Sequence, residues 1–403
     1  MATAEHPSKD CILFATADWD TPYWTNKQHT AAELAKKGWR VLYVESVGLR
    51  APKLGSGLDL GRLARRLWRG LKGVRKVHDG VWVLSPLVLP VLHSHPWVRA
   101  FNQGLLTWVV RRFMRRQGLM RPLIWTYHPY VLELLQRLNA QTCSRTGPLV
   151  YHCVDDLAAI PGVDAAAFRA EEQRLLEQAD MVFTSSAALR DQCAPYNPRV
   201  LFHPNVVDLD HFAHAHQPGP LPSDLQGIPE PRLAYMGALS DFKIDFQLLI
   251  EVVLARPHWQ LVIIGEEREG QQSPLLQQLS RLPNVHLLGY KGYAELPLYL
   301  RGLQVGLLPT LINDYTRGMF PMKYFEYLAA GLPVVSTPLA FTQEQVLDLR
   351  IAATGAEFTE AIEAQLRHGK YSESQSRAAV GENTWGVRID RMLDALRRQL
   401  NSA

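Results

Sequence analysis

The segment from Pro321 to Val335 combines residue types that can bind a nucleotide diphosphate. It predicts a helix with a single acid, Glu326, followed by a glycine stop and a buried strand. A helix N-terminus offers unpaired backbone N–H groups and a partial positive charge, so it can hold a phosphate. Pro321 lacks an N–H, which leaves the backbones of Met322 and Lys323 as donors. Because a carboxylate one turn further along can accept hydrogen bonds from two ribose hydroxyls, we predict a nucleotide-sugar site.

A loop near the N-terminus carries residues suited to a saccharide. It follows the first apolar run and contains two carboxylates and three aromatic rings, namely Asp18, Trp19, Asp20, Tyr23 and Trp24. Aromatic faces stack on sugar rings, and carboxylates bind hydroxyl groups or take a proton from one. We therefore expect an acceptor to bind here. The alternative is a tryptophan-rich loop that is simply packed into its own domain.

Two other polar positions follow short apolar runs. His128 comes after one run, and the adjacent Asp155 and Asp156 come after the next. If these runs are neighbouring parallel strands, all three side chains lie at one sheet edge and can also contact an acceptor. Adjacent aspartates are compatible with a metal site, whereas Asp156 alone suits the cap of a following helix.

Apolar runs alternate with amphipathic helical patterns along the chain, and the series occurs twice. This alternation predicts parallel sheets covered on both faces, and hence an α/β fold with two doubly wound, Rossmann-like domains. Ligands of such sheets bind beyond the carboxyl ends of the strands, so we expect the domains to face each other across a cleft. We place the domains at residues 1–203 and 204–383, with a helix at 384–403 that could cap either domain.

Three stretches depart from this alternation of apolar runs and amphipathic helices. Residues 211–231 are rich in Pro, Gly, His and Ser, which predicts a linker. Residues 313–320 are polar, which predicts an irregular loop before the helix that carries Glu326. Residues 62–76 have apolar residues at helical spacing, which predicts a basic helix.

Two segments concentrate positive charge beside tryptophan and leucine. The first contains Arg62, Arg65, Arg66, Arg69, Lys72, Arg75 and Lys76, and the second contains Arg111, Arg112, Arg115 and Arg116. Such faces suit an anionic membrane surface, although a solvated helix packed on its domain has the same pattern. No recognition motif for nucleic acid accompanies the charge, so we expect no nucleic-acid partner.

The bulk composition excludes several classes. The chain has 403 residues, of which 47% are hydrophobic and 20% charged, and its net charge of +4 is too small to imply nucleic acid. Its four cysteines have no metal-ligand spacing, so reduced cytosolic thiols are expected. The N-terminus lacks the pattern of a signal peptide, and the longest apolar runs are about ten residues, short of the ~20 needed to cross a bilayer. We expect a cytoplasmic protein, soluble or peripheral on the inner face of the membrane.

Four motifs in order across the second half resemble the glycosyltransferases of family four (group 1), which have the GT-B fold. In chain order, the first is the connector motif His203–Phe212, which resembles the segment that connects the two domains in that family. The second is the strand, glycine turn and lysine of Arg232–Lys243. The others are the "V-x-x-L-G-Y" loop of Val285–Tyr290 and the segment Pro321–Val335. The family's first glutamate is replaced by Gly318, and its usual arginine by Ala238. These departures resemble a divergent branch among bacterial polysaccharide transferases.

The resemblance implies roles for the residues of these motifs. Lys243 and Lys323 would act as catalytic cations on the leaving diphosphate, with Arg317 flanking the same loop. Glu326 would bind the ribose, unless it is a solvated helix glutamate. The remaining donor-binding positions that the resemblance implies are Gly237, Gly289, Tyr290 and Met322. Enzymes of the GT-B fold generally need no metal ion, so we expect no metal and no cofactor besides the nucleotide sugar.

The implied reaction moves a hexosyl group from a nucleotide-diphosphate sugar to a saccharide or lipid-linked saccharide in polysaccharide biosynthesis. Asp18, Asp20 and Asp156 are candidate bases if the configuration at the transferred carbon inverts. Two alternatives remain open at this point. One is another GT-B enzyme such as a sugar-nucleotide epimerase, and the other is a homologue that binds the nucleotide sugar without turnover.

Overall fold

The computed structural model describes residues 9–21, 24–46, 73–86, 96–140, 146–267, 273–343 and 349–402. The chain divides into two units. Unit 1 comprises Met1–Ser185, Leu189–His203 and Arg391–Ala403, and unit 2 comprises Ser186–Ala188 and Pro204–Asp390. Each unit is built on one sheet, and the division falls inside the last helix of the chain.

The sheet of unit 1 has the order β3-β4-β2-β1-β5-β6-β7-β8 in the described residues, and all its pairs are parallel except β3 with β4. Order reverses between β1 and β5, so the loops after these two strands flank the usual ligand position of a doubly wound sheet. The strands are β1 (Asp10–Phe14), β2 (Arg40–Val44), β3 (Val74–His78), β4 (Val81–Leu84), β5 (Leu123–Thr126), β6 (Leu149–Cys153), β7 (Met181–Thr184) and β8 (Val200–Phe202).

Helices cover the sheet of unit 1. Strands β1, β5, β6 and β7 are buried throughout, which explains why their sequences are mostly apolar and do not alternate. The helices are α1 (Asn26–Lys36), α2 (Pro96–Gln117), α3 (Leu132–Asn139), α4 (Ala165–Gln178) and α5 (Ala187–Cys193).

The sheet of unit 2 is parallel throughout its described part and has the order β11-β10-β9-β12-β13-β14. Its strand order reverses between β9 and β12, which marks the expected ligand crevice of this sheet. The strands are β9 (Arg232–Met236), β10 (Gln260–Ile264), β11 (Val285–Gly289), β12 (Val305–Leu308), β13 (Val334–Ser336) and β14 (Leu349–Ile351). The prediction of two doubly wound α/β domains is therefore confirmed.

The helices of unit 2 and the last helix of the chain follow in order. They are α6 (Leu209–Ala213), α7 (Ser223–Gln226), α8 (Phe246–Ala255), α9 (Pro274–Leu279), α10 (Leu296–Arg301), α11 (Asp314–Arg317), α12 (Met322–Ala329), α13 (Gly355–His368), α14 (Glu373–Val380) and α15 (Trp385–Ser402). Short 3-10 turns lie at Leu157–Ala159, His214–His216, Tyr293–Glu295 and Ala340–Gln343.

The predicted linker at 211–231 was wrong. This stretch contains part of α6, a 3-10 turn and α7, and it buries Phe212, Ala215, Leu225 and Ile228 in the core of unit 2. These apolar anchors are too widely spaced to produce a helical or strand period. The predicted irregular loop at 313–320 likewise contains the short helix α11, whose cap Asn313 accepts a hydrogen bond from the N–H of Thr316.

The predicted basic helix at 62–76 is also corrected where the structure describes it. Val74–His78 is strand β3, paired antiparallel with β4, so Arg75 and Lys76 lie on a sheet edge. A charged edge strand discourages pairing with other chains, and five residues are too few to separate a strand period from a helical one. Arg62, Arg65, Arg66, Arg69 and Lys72 lie outside the described residues.

Candidate functional site

Helix α12 is fixed at the strand-order reversal of unit 2 by one tyrosine. Beyond Ala234 and Gly306, β9 and β12 no longer pair, and the Tyr327 hydroxyl lies between them. It accepts a hydrogen bond from the Met236 N–H at 2.8 Å and donates to the Ala234 carbonyl at 3.4 Å. A Cβ built on Gly306 would lie 2.5 Å from the Tyr327 ring, so this approach requires glycine. The start of α12 is thereby held at the carboxyl end of β9.

The connector motif supports the residue before α12. The Asn205 side-chain amide donates to the Phe320 carbonyl at 2.5 Å, and Asn205 is itself buried. The Phe320 ring stacks on Phe325 with centroids 5.9 Å apart. These contacts anchor both sides of Pro321, where the helix begins.

The first turn of α12 has unsatisfied positive character. Pro321 occupies its N-cap position and makes no side-chain capping bond, and the first turn contains no acid. The N–H groups of Met322 and Lys323 are therefore available at the helix N-terminus, as the sequence predicted for phosphate.

Lys323 lies across the glycine turn that follows β9. A Cβ built on Gly237 would be 2.3 Å from Cε and 3.1 Å from Nζ of Lys323, and Gly237 has φ +146°. Both the space and the backbone conformation thus require glycine here. The Gly237 N–H donates to the Ile264 carbonyl at 2.9 Å, which places this turn beside the end of β10.

Glu326 lies one turn after Lys323 and is 8% exposed. Burial raises the pKa of this carboxyl group, and the positive charge of Lys323 opposes that rise. Among the described residues, none donates a hydrogen bond to its carboxylate. A buried carboxylate is costly without such partners, so this group is suited to receive hydrogen bonds from a ligand.

Sequence reasoning missed a tyrosine near this carboxylate. Burial, followed by the negative charge of Glu326, raises the pKa of the Tyr293 hydroxyl. The Tyr293 ring stacks on His211 with centroids 4.2 Å apart, and His211 Nε2 lies 2.9 Å from the Tyr293 carbonyl oxygen. The only local signals are a tyrosine three positions after Tyr290 and a histidine in the connector motif.

Lys243 lies on the loop after β9, at the same edge of the sheet as Gly237. Its Nζ is 5.1 Å from the ring centre of Phe242 and 4.7 Å from that of Tyr315. Its carbonyl accepts a hydrogen bond from the Leu311 N–H at 2.9 Å, which joins this loop to the loop after β12. The amine is therefore held over two aromatic faces at the crevice.

The other predicted donor positions occupy loops around the same edge. Gly289 ends β11 and its carbonyl accepts a hydrogen bond from the Gly265 N–H at 2.9 Å, while Tyr290 is 37% exposed. Arg317 is exposed and pairs with Asp314 at 3.4 Å. Two acids that sequence reasoning missed, Glu266 and Glu267, directly follow β10. The structure thus brings Gly237, Lys323 and Glu326 together, and the ligand roles of all these residues stay predictions.

The predicted acceptor positions lie at the carboxyl edge of the unit 1 sheet. His128 is buried after β5, burial lowers its pKa to about 4, and its Nδ1 has no hydrogen-bond partner among the described residues. Asp156 pairs with Arg169 through both oxygens, at 2.7 and 2.6 Å, and does not cap the following turn. Asp155 lies 3.5 Å from the buried Lys27, a residue that sequence reasoning missed.

The loop after β1 is partly packed into unit 1. Trp19 is 5% exposed, its backbone N–H donates to Glu45 Oε1 at 2.8 Å, and its ring meets the Trp24 ring with centroids 5.2 Å apart. Asp18 accepts a hydrogen bond from Gln28 through its backbone carbonyl, whereas Asp20 pairs with Arg75 at 2.5 Å. Tyr23 lies outside the described residues. Packing accounts for Trp19, and the acceptor roles in this loop stay predictions.

The residues that the structure describes contain no group of three or more histidine, cysteine, aspartate or glutamate residues placed to hold a metal ion. None of their helices has the length and apolar character required to cross a membrane.

Gly237→Ala tests the packing of Lys323. The added Cβ must displace the Lys323 side chain and strain the turn, so we expect nucleotide binding to weaken by about tenfold or more and the unit to lose about 1 kcal/mol of stability. Calorimetric titration and thermal unfolding measure the two effects. Gly227→Ala is the control because a Cβ there meets open space. If Gly237→Ala and Gly227→Ala bind nucleotide equally well and unfold at the same temperature, the close packing of Lys323 on Gly237 is contradicted.

Part of the chain is similar in sequence to known glycosyltransferases. Residues 230–368 match the family described as glycosyl transferases group 1. TuaH of Bacillus subtilis (strain 168), assigned as a glycosyltransferase of teichuronic acid biosynthesis, is 32% identical over 181 residues. That region is 44% of this chain and 45% of TuaH, so the match spans less than half the length of this relative.

Solved structures share the fold over almost the whole chain. Sucrose-phosphate synthase of Thermosynechococcus elongatus has a TM-score of 0.69 at 14% identity and covers 98% of this chain and 100% of its own. HepE of Anabaena, solved with UDP-glucose, has a TM-score of 0.61 at 16% identity with coverages of 98% and 100%. Trehalose 6-phosphate synthase of Burkholderia multivorans has a TM-score of 0.64 at 13% identity with coverages of 98% and 99%. These similarities confirm the predicted GT-B fold.

Proposed function

We propose that this protein is a hexosyltransferase, because residues 230–368 match the group 1 glycosyl transferases and the chain has the GT-B fold. It moves a sugar from a nucleotide-diphosphate sugar to a saccharide or lipid-linked saccharide. One observation carries the proposal: Lys323 crosses Gly237 at the start of an uncapped helix and lies one turn before a buried carboxylate with no described hydrogen-bond donor. The match to TuaH supports bacterial polysaccharide biosynthesis as the setting.

The donor is bound by groups at the crevice of unit 2. The N–H groups of Met322 and Lys323 hold the diphosphate, and Glu326 accepts hydrogen bonds from the ribose. In the reaction, the bond between the sugar C1 and the diphosphate oxygen breaks, and its electron pair leaves with the diphosphate. The acceptor hydroxyl oxygen forms the new bond to C1 and releases its proton. Lys323 and Lys243 stabilise the negative charge that develops on the leaving group.

We propose that this charge stabilisation needs no metal ion. The positive groups at the crevice are the helix N-terminus and the amines of Lys243 and Lys323, with Arg317 on the preceding helix. Together they can offset the charge of a departing nucleoside diphosphate. Equal transfer rates in chelator-treated protein with and without added Mg²⁺ are expected.

The acceptor is bound by unit 1. His128 lies after β5, and it stays neutral at pH 7 because burial lowers its pKa. Trp24 offers a partly exposed ring. Asp18 and Asp20 lie on the same loop. The ion pair with Arg169 makes Asp156 a weaker candidate base than the sequence suggested.

We further propose that the protein works on the inner face of the cell membrane, where a lipid-linked acceptor is available. Support comes from the positive charge of α2, whose arginines at 112, 115 and 116 are exposed. Anionic lipids attract such segments.

A thermal-shift screen against UDP, GDP and ADP tests the donor site, and UDP is included because HepE was solved with UDP-glucose. The matching nucleotide should raise the melting temperature by mass action. Lys243→Ala should weaken the binding of that nucleotide by about tenfold, because a charge-assisted contact is lost. Lys36→Ala, at an exposed lysine of unit 1, is the control. If no nucleotide stabilises the parent, the donor site is refuted. A stabilising nucleotide whose sugar derivative never releases diphosphate would indicate a binding protein without turnover.

A further inference from the structure

Helix α2 presents an uncovered stripe of large aromatic rings. Trp97, Phe101 and Trp108 are 66%, 55% and 59% exposed. At about 100° per residue they fall within ~40° on one side of the helix. The opposite side packs into the core of unit 1 through Val110 and Phe113. Contiguous exposed apolar surface marks an interaction site, and the packing of the opposite side fixes this one toward the exterior of unit 1.

The same helix is strongly cationic. Its sequence contains five arginines and no aspartate or glutamate. Arg112 and Arg115 are exposed and continue the aromatic stripe, and the Arg112 guanidinium lies 5.7 Å from the ring centre of Trp108. Arg111 differs, because it donates to the Arg137 carbonyl. The exposed face therefore has aromatic rings from its N-terminal end to its middle and positive charge toward its C-terminal end.

These features identify an anionic membrane as the partner. A second copy of this chain would bring two helices of equal positive charge together, which is unfavourable. Tryptophan rings beside arginines are typical of helices that lie in the boundary between lipid headgroups and acyl chains. We infer that α2 lies along the membrane surface, with Trp97, Phe101 and Trp108 in that boundary and with Arg112 and Arg115 on lipid phosphates.

The inference deepens the proposed function, because it names the surface that brings a lipid-linked acceptor within reach. The proposed contact with the membrane has two parts, an apolar contribution from the rings and an electrostatic contribution from the arginines. The ring contribution depends on buried apolar area and should persist in salt, whereas the arginine contribution should be screened. Vesicle binding requires no donor or turnover, so failure of the inference and failure of the transferase proposal can be distinguished.

The experiment measures binding of the full chain to vesicles of phosphatidylglycerol and phosphatidylcholine. The triple variant Trp97→Ser, Phe101→Ser, Trp108→Ser should lower the partition coefficient at least tenfold in both 0.1 M and 0.5 M salt. The double variant Arg112→Gln, Arg115→Gln should lower it about 25-fold at 0.1 M, since each arginine contributes about fivefold, and much less at 0.5 M. The matched control, Tyr196→Ser with Leu254→Ser, changes other exposed apolar residues and should bind as the parent does.

Several results would overturn the inference. They are a parent that does not bind these vesicles, a triple variant that binds as the parent does, and equal binding to vesicles of phosphatidylcholine alone. A dimer of the parent that the triple variant dissolves, without vesicle binding, would assign the stripe to a second copy. A lowered melting temperature in the triple variant would assign the rings to folding. Transfer to a water-soluble acceptor should be unchanged in the triple variant.

Discussion

Lys323→Met is expected to lower the rate of sugar transfer by about 10²- to 10³-fold, because one positive group facing the leaving diphosphate is removed. Methionine keeps an unbranched chain of similar length over Gly237, so the packing there should survive and the melting temperature should change little. Steady-state kinetics with saturating acceptor measure the effect. A loss confined to kcat would show that the amine acts mainly on charge that develops during transfer.

The control for this variant is Lys36→Met on α1, which removes an exposed amine remote in sequence. It should retain the parent rate. If Lys323→Met also retains that rate, Lys323 has no role in transfer and the proposed crevice loses its principal cation. If both kcat and the melting temperature fall, the kinetic loss must be attributed to folding, and Lys323→Arg then tests whether charge alone restores the rate.

Glu326→Gln is expected to weaken nucleoside diphosphate binding by about 10- to 100-fold while raising the melting temperature at neutral pH. The first effect follows from the loss of charged hydrogen bonds to the ribose. The second follows from the raised pKa of Glu326, since burial of its charged form destabilises the folded state. Calorimetric titration of the matching nucleotide and thermal unfolding measure the two changes.

The difference in stability between the parent and the Glu326→Gln variant should change with pH in one direction. As pH rises from the ordinary glutamate pKa through the raised pKa of Glu326, the parent should lose stability relative to the glutamine variant. Below the ordinary pKa the difference should vanish. Nucleotide affinity of the parent should change in the opposite sense, because the ionised carboxylate is the better acceptor. Glu360→Gln, at an exposed glutamate of α13, should show neither effect, and a stability difference independent of pH would contradict the buried charge.

Much of the fold was predictable because its central strands are buried on both faces. Runs such as those at β1, β9 and β10 are apolar after their first residue, and their length separates them from helices. The start of α12 was also predictable, because proline is favoured at the beginning of a helix and disfavoured inside one. Strand β3 was not, since its basic residues lie on a short edge where either period fits.

The side-chain partners in the candidate sites could not be predicted. Asp156 and Arg169 lie on different elements, and His211 contacts the backbone of Tyr293, 82 positions away. No local spacing encodes such pairs, since they depend on the order in which the sheet is assembled. A tryptophan at position 19 is compatible both with packing inside unit 1 and with stacking on a sugar ring. Only the surroundings of Trp19 in the folded unit distinguish these two roles.

The tyrosine that separates β9 from β12 has a consequence for redesign of donor specificity. Tyr327 belongs to the same helix as Lys323 and Glu326, yet its hydroxyl is tied to the sheet and its ring requires Gly306 beneath it. A variant library directed at a new sugar nucleotide should therefore vary exposed positions at the same edge, such as Tyr290 and Arg317, and retain Tyr327 and Gly306. Such variants should differ in the nucleotide sugar that they prefer, while the crevice between β9 and β12 keeps its shape.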